Sequence, residues 1–170
     1  NKIKKISNTE LQKVLFIEPS RNTSHKNADK NNGEENKIWE IKKWQEVVNY
    51  FKNEILFVQS TYKNCEILDG VYNFELSFRE ACVVMSLCDF YLGWEGGFSH
   101  AAAALDKKAV VLFGGYIHPK TTGYNFHQNI YIDIDGSPCG MRKYCEHCEK
   151  CRKLITVDLV IEKTNEMLTN

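Results

Sequence analysis

The stretch that decides the fold is Cys88-Asp89-Phe90-Tyr91-Leu92-Gly93-Trp94-Glu95-Gly96-Gly97-Phe98-Ser99-His100, continued by Ala101-Ala102-Ala103-Ala104-Leu105. An apolar run ends in a glycine-bearing turn that opens onto an alanine-rich helix. The first backbone NH groups and the positive end of that helix therefore converge on one spot. Such a spot accommodates an anion such as a diphosphate, and in parallel α/β sheets ligands sit beyond the carboxyl ends of the strands. Gly96 and Gly97 together permit positive φ and close backbone approach. Glu95 and His100 flank the turn with groups able to bond sugar hydroxyls or phosphate oxygens. Glycines at a strand-to-helix turn also serve sheets that merely need a tight turn, so the rest of the chain must decide between the readings.

Working outward, residues 89–92 form the strand feeding this turn. Downstream, Ala109-Val110-Val111-Leu112-Phe113 reads as a buried strand ending at Gly114-Gly115, and residues 129–133 as the last strand. A helix over residues 157–168 closes the chain. Upstream, Ser77 followed by Glu80 has capping-box spacing for a helix whose apolar side is Phe78, Ala81, Cys82, Met85 and Leu87. Ile55-Leu56-Phe57-Val58 is a second strand, and residues 67–71 offer a short one. Trp39, Ile41, Trp44, Val47, Val48 and Phe51 recur at helical spacing, with both tryptophans expected in the core rather than as stacking platforms. Lys13-Val14-Leu15-Phe16-Ile17, stopped by Glu18-Pro19, is the first strand. Residues 20–36 contain almost nothing apolar and read as a long loop at its carboxyl end, of the kind that is functional or disordered. Alternating strands and helices predict a three-layer, Rossmann-like α/β domain with a mainly parallel sheet.

Composition bounds the rest. With 170 residues, 43% of them hydrophobic, the chain is expected to be a single domain over 1–170, with a frayed lead-in over 1–12 and a Cys-rich insert over 137–152. Lysine plus arginine balance aspartate plus glutamate at 22 each, which argues against a nucleic-acid or other polyanionic partner. No apolar run approaches the roughly 20 residues that span a bilayer, so neither an anchor nor a signal peptide is expected in it.

Several motifs, in this order and spacing, resemble the C-terminal half of the heptosyltransferases, glycosyltransferase family 9. They are Lys37-x-Trp39 with Trp44, Phe78-Arg79-Glu80, Gly93-x-Glu95-Gly96-Gly97-x-Ser99-His100-Ala101-Ala102-Ala103, and Val110-Val111-Leu112-Phe113-Gly114-Gly115. The resemblance runs from about residue 13 to residue 162. It implies one half of a GT-B fold, the half that binds a nucleotide-sugar donor of the ADP-heptose kind, for transfer to a lipopolysaccharide-type or protein acceptor. By the same resemblance Lys37 contacts the donor's phosphates or sugar, Glu95 bonds heptose hydroxyls, Gly96 and Gly97 offer NH groups to phosphate, and His100 donates to the diphosphate. The family has aspartate where this chain has Glu95, and threonine or serine where it has Gly96. Ser20 and the loop after it lie where the family places further phosphate contacts.

The loop carrying Tyr116, His118, Thr122 and Tyr124 borders the nucleotide or the interdomain cleft in such domains, or is simply surface. No catalytic base for the acceptor hydroxyl is evident, so it is expected in a preceding domain or partner chain, and this half alone is expected to be inactive in transfer. The resemblance further implies a bacterial, cytoplasmic setting with peripheral membrane association through the acceptor, and chemistry that needs no cofactor. The rival readings are a nucleotide-sugar epimerase, which would need acidic catalytic groups in the cleft that the sequence does not place, and a non-catalytic binding module.

Seven cysteines, four of them close together at Cys139, Cys145, Cys148 and Cys151, favour a reducing compartment and a metal over a disulfide framework. Four thiolates so spaced resemble a tetrahedral zinc or iron site of structural role, with His147 as an alternative ligand. Free or paired thiols are the other reading. Cys65, Cys82 and Cys88 are expected in the core.

Overall fold

The computed structural model describes residues 13–19, 36, 38–62, 65–141 and 144–169. Six parallel strands form one sheet in the order β3-β2-β1-β4-β5-β6. They are β1 (Lys13–Glu18), β2 (Ile55–Thr61), β3 (Tyr72–Glu75), β4 (Phe90–Trp94), β5 (Lys108–Leu112) and β6 (Gln128–Ile130). The helices are α1 (Ile41–Phe51), α2 (Phe78–Ser86), α3 (Gly97–Ala104), the single turn α4 (Pro119–Thr122), α5 (Glu146–Leu154) and α6 (Val157–Thr169).

Side-chain alternation on the strands builds the two outer layers. On one face Leu15, Ile17, Leu92, Val110 and Leu112 pack with Trp44, Val47 and Phe51 of α1 and with Val160 and Met167 of α6. On the other face Phe16, Val58, Tyr91 and Val111 meet Ala81 and Met85 of α2 and Ala102 of α3. Trp39 and Trp44 are buried as expected, in an edge-to-face chain with Trp94 whose ring centroids lie 5.0 and 6.1 Å apart. The capping box of α2 is complete, with Ser77 N–H donating to Glu80 Oε2 at 2.9 Å and Glu80 N–H to Ser77 Oγ at 3.4 Å.

The sheet is parallel throughout. The last strand, expected over 129–133, covers only Gln128–Ile130, and sequence and structure differ at further points. The short strand expected over 67–71 is a loop: Gln59 accepts from Leu68 N–H at 3.0 Å and donates to Glu66 O at 2.7 Å, and Gly70 turns the chain at φ +76. Pairing with β2 starts only at Tyr72, on an edge strand whose four residues are all exposed. On α2, Phe78 and Leu87 are more than half exposed, so its buried side is Ala81 and Met85. Cys88 is buried, and desolvation pushes its thiol up to about 12, whereas Cys65 and Cys82 are only half-buried. The polar loop over 20–35 lies outside the described residues, as does the lead-in.

The order of strands reverses between β1 and β4. There the connections leave to opposite sides and open a crevice at the carboxyl ends. Glu18 pairs in register with Gly93 at that end, and Tyr91 O–H donates to Glu18 Oε2 at 2.7 Å.

Candidate functional site: a helix N-terminus and a cysteine finger

β4 delivers the chain to the crevice and α3 leaves it within two residues. Gly96 is extended, with φ 161 and ψ −158, and Gly97 is already helical, so neither uses the positive φ expected of the pair. Ser99 closes the turn by itself: Gly96 N–H donates to its Oγ at 3.0 Å, and the hydroxyl donates back to Gly96 O at 2.8 Å. The first intrahelical bond runs from His100 N–H to Gly96 O at 3.2 Å. The NH groups of Gly97, Phe98 and Ser99 precede it and point out of the helix end. Glu95 is buried at 6% exposure, its own NH tied to Leu112 O of β5 at 3.0 Å.

His100 stands exposed on the first turn of α3. Its Nδ1 lies 3.0 Å from the hydroxyl of Tyr124, which arrives from the segment after α4. Of the residues expected to bind donor, the fold thus brings the 95–100 turn and Tyr124 together. Thr122 sits two residues away, and its buried Oγ1 has no partner among the described residues. His118 is the N-cap of α4, its Nδ1 accepting from Lys120 N–H at 2.9 Å. Lys37 and Ser20 fall outside the described residues.

The loop carrying Tyr124 is anchored by His127. That ring is buried, and its Nε2 donates to Lys107 O at 3.2 Å. Burial holds the His127 imidazole below its ordinary 6.5, outweighing the opposing pull of the Lys107 carbonyl. A histidine depressed in this way contributes stability above pH 6.5 that is lost as pH falls through the lower folded value. The His127 resonances are therefore expected to titrate in NMR with a midpoint below 6.5, and a midpoint at or above it would contradict the burial argument.

The second site is the Cys-rich segment. Cys139, Cys145, His147 and Cys148 present ligand atoms that all lie within 4.8 Å of one another, with Cys139 Sγ and Cys148 Sγ 3.0 Å apart. His147 Nε2 lies 2.9 Å from Asp135 O, an acceptor only, so this nitrogen carries the proton. The buried Nδ1 has no partner among the described residues and keeps a lone pair for a metal. A histidine bonded through its other nitrogen to a carbonyl is how metal-bound imidazoles are oriented. NH groups of Cys148 and His147 hold the Cys145 thiol below its usual range, while burial pushes that of Cys148 up. Three sulfurs and one imidazole suit tetrahedral zinc or iron.

Cys151 lies outside this group, with its Sγ 3.3 Å from Ser137 Oγ; His147 lies within it. The segment is also not a plain loop, because α5 runs through it.

This finger grips the segment that enters α1 and the chain that leaves β5. Asn36, wholly buried, donates through Nδ2 to Met141 O and accepts at Oδ1 from Cys145 N–H, both at 3.0 Å. Arg152 Nη1 donates to Ile38 O at 2.6 Å, and Trp39 Nε1 to Ile155 O at 2.9 Å. On the β5 side Cys139 N–H donates to Gly115 O at 2.8 Å and Gly140 N–H to Tyr116 O at 3.1 Å. Sequence reading missed Asn36, which it placed inside a polar loop.

Strand order and the helix opening at the switch point define a Rossmann-like, doubly wound α/β domain. The profile of glycosyltransferase family 9 (heptosyltransferase) matches residues 25–149, and the chain belongs to that family. Comparison with curated proteins returns no sequence match.

Among solved structures, the iron-containing dodecameric glycosyltransferase TibC from enterotoxigenic E. coli H10407 is similar at TM-score 0.69 and 16% identity, over 95% of this chain and 46% of TibC. E. coli ADP-heptose LPS heptosyltransferase II gives 0.66 and 18%, over 98% of this chain and 49% of its own. The family 9 glycosyl transferase from Veillonella parvula DSM 2008 gives 0.69 and 15%, over 98% and 48%. The chain therefore spans about half the length of the structures it resembles. Among the described residues no helix is long and apolar enough to cross a membrane.

Proposed function

We propose that this domain is the donor half of a GT-B glycosyltransferase, binding a nucleoside-diphosphate sugar of the ADP-heptose kind with its diphosphate against the N-terminus of α3. The observation that carries this reading is the placement of that helix end, with His100 beside it, at the strand-order switch. Structures of two similar proteins, TibC with ADP-D-β-D-heptose and E. coli WaaC with ADP, support the choice of nucleotide.

As the sugar–phosphate bond breaks, negative charge grows on the leaving diphosphate while the sugar gains oxocarbenium character. NH dipoles of Gly97 to Ser99, His100 and Lys37 stabilise that charge without reorganising. Glu95 and Thr122 contribute to donor binding beside them. An acceptor hydroxyl, on a lipopolysaccharide-type or protein substrate, loses its proton to a base outside these residues. This half accordingly binds donor without transferring it.

The finger holds a structural zinc or iron on Cys139, Cys145, Cys148 and His147. Its role is to fix the loops it grips, and no step of the transfer passes through it.

Calorimetric titration with ADP, UDP, GDP and CMP tests the reading. Preference for ADP, weakened about tenfold or more by His100→Ala through loss of a charge-assisted hydrogen bond, is expected. Binding of no nucleotide would leave a metal-stapled interaction module as the better account.

A further inference from the structure

We infer that Tyr124 is the positioning residue for His100, fixing the imidazole so that Nε2–H faces the crevice as the donor to the diphosphate. The inference rests on the donor-site reading above and adds to it how His100 is held.

A neutral imidazole bonds an anion only through a protonated nitrogen, and which nitrogen carries the proton is set by what the other one meets. His100 Nδ1 meets the Tyr124 hydroxyl at 3.0 Å. If that hydroxyl donates, Nδ1 is the acceptor and the proton sits on Nε2. With Nδ1 protonated instead, Nε2 would turn a lone pair toward the phosphate oxygens, which repels them. For the neutral ring, the arrangement compatible with a bound diphosphate is therefore Tyr124 O–H to Nδ1 and Nε2–H to phosphate oxygen. Nε2 has no partner among the described residues, and His100 is exposed, so that nitrogen is available to a ligand.

Tyr124 is built to hold a position. Its carbonyl accepts from His127 N–H at 3.1 Å and from Asn129 Nδ2 at 2.9 Å, which ties it to the buried His127 and to β6. Its ring sits with centroids 5.3 Å from His127 and 5.8 Å from His100. One residue earlier, Gly123 N–H donates to Pro119 O at 2.7 Å, and a Cβ there would come within 2.6 Å of that same oxygen. The loop is therefore pinned on both sides of the tyrosine, and its hydroxyl is held in place before ligand arrives. Preorganisation of this kind spares the ordering cost that a mobile hydroxyl would pay on binding.

The alternative role, a ring stacked on the nucleotide base, is separable because Tyr124→Phe removes only the hydroxyl. ADP and inorganic pyrophosphate are titrated into the wild-type chain, Tyr124→Phe, His100→Ala and the double variant, with 15N-histidine NMR of the ligand-free proteins. Tyr124→Phe is expected to weaken both ligands about three- to tenfold, the worth of one net hydrogen bond. The double variant is expected to bind no more weakly than His100→Ala alone, because the tyrosine acts through the histidine. The 15N resonance of His100 Nδ1 is expected to show an acceptor bonded by a hydroxyl in the wild type and to move in Tyr124→Phe.

Wild-type affinity in Tyr124→Phe, with His100→Ala still weakened, would overturn the positioning role and leave the donor site standing. Additive losses in the double variant would overturn it likewise. Failure of the wild type to bind ADP or pyrophosphate would overturn the donor site and this role with it.

Discussion

Asn36→Ala will destabilise the protein by about 1–3 kcal/mol in denaturant unfolding, because two part-buried backbone groups lose their partner. The amide is wholly buried and bridges Met141 O and Cys145 N–H, and alanine reaches neither. Asn36 also carries a backbone oxygen 2.7 Å from where a Cβ on Gly114 would sit, so the residue is packed as well as bonded. The loss should be local before it is global. Hydrogen exchange at the Cys145 amide is expected to rise in Asn36→Ala while amides of β1 and β4 keep their protection. Unchanged stability together with unchanged Cys145 exchange would show that the finger stands without this staple.

Gly93→Ala will have an effect at least as large, on the other side of the crevice. A Cβ there would collide with the Tyr91 hydroxyl, fall 2.6 Å from its Cζ and lie 3.1 Å from Glu18 Cβ. Tyr91 is fully buried, and its hydroxyl holds Glu18 Oε2 at 2.7 Å and Trp94 O at 3.2 Å, so it has nowhere to retreat without breaking both bonds. Overpacking typically costs about 1–3 kcal/mol, and the broken bonds add to it. The melting temperature is expected to fall by roughly 6–12 °C for a chain of this length, measured by differential scanning calorimetry. A fall of less than about 2 °C would mean that the sheet relaxes at this point far more than its packing suggests.

How much of this was legible in the chain depends on whether the signal is local. The run from Cys88 to His100 displays strand, turn and helix within thirteen consecutive residues, and the structure places β4 and α3 there. The Ser77–Glu80 cap is equally local, a side-chain exchange across three residues. By contrast β3 has no buried face, so no alternation of apolar and polar residues could reveal it; only its pairing with β2 defines it.

Asn36 was silent for a different reason. Its partners lie 105 and 109 residues downstream, and an asparagine in a polar stretch looks like solvent-facing loop. In the finger, cysteine spacing grouped Cys151 with Cys139, Cys145 and Cys148 and kept His147 as an alternative ligand. In α5, Cys151 lies one turn beyond Cys148. There it faces Gly115, whose Cβ position would be 2.6 Å from the Cys151 sulfur, while His147 turns in toward the other three thiols.

Amide NMR during titration with ADP tests the central claim most directly. The account predicts that the NH resonances of Gly97, Phe98 and Ser99, together with the His100 ring, show the largest shifts, and that inorganic pyrophosphate reproduces the amide part of that pattern. Shifts confined to other parts of the chain, or none at ADP concentrations that saturate related donor sites, would contradict it and remove the diphosphate from the N-terminus of α3.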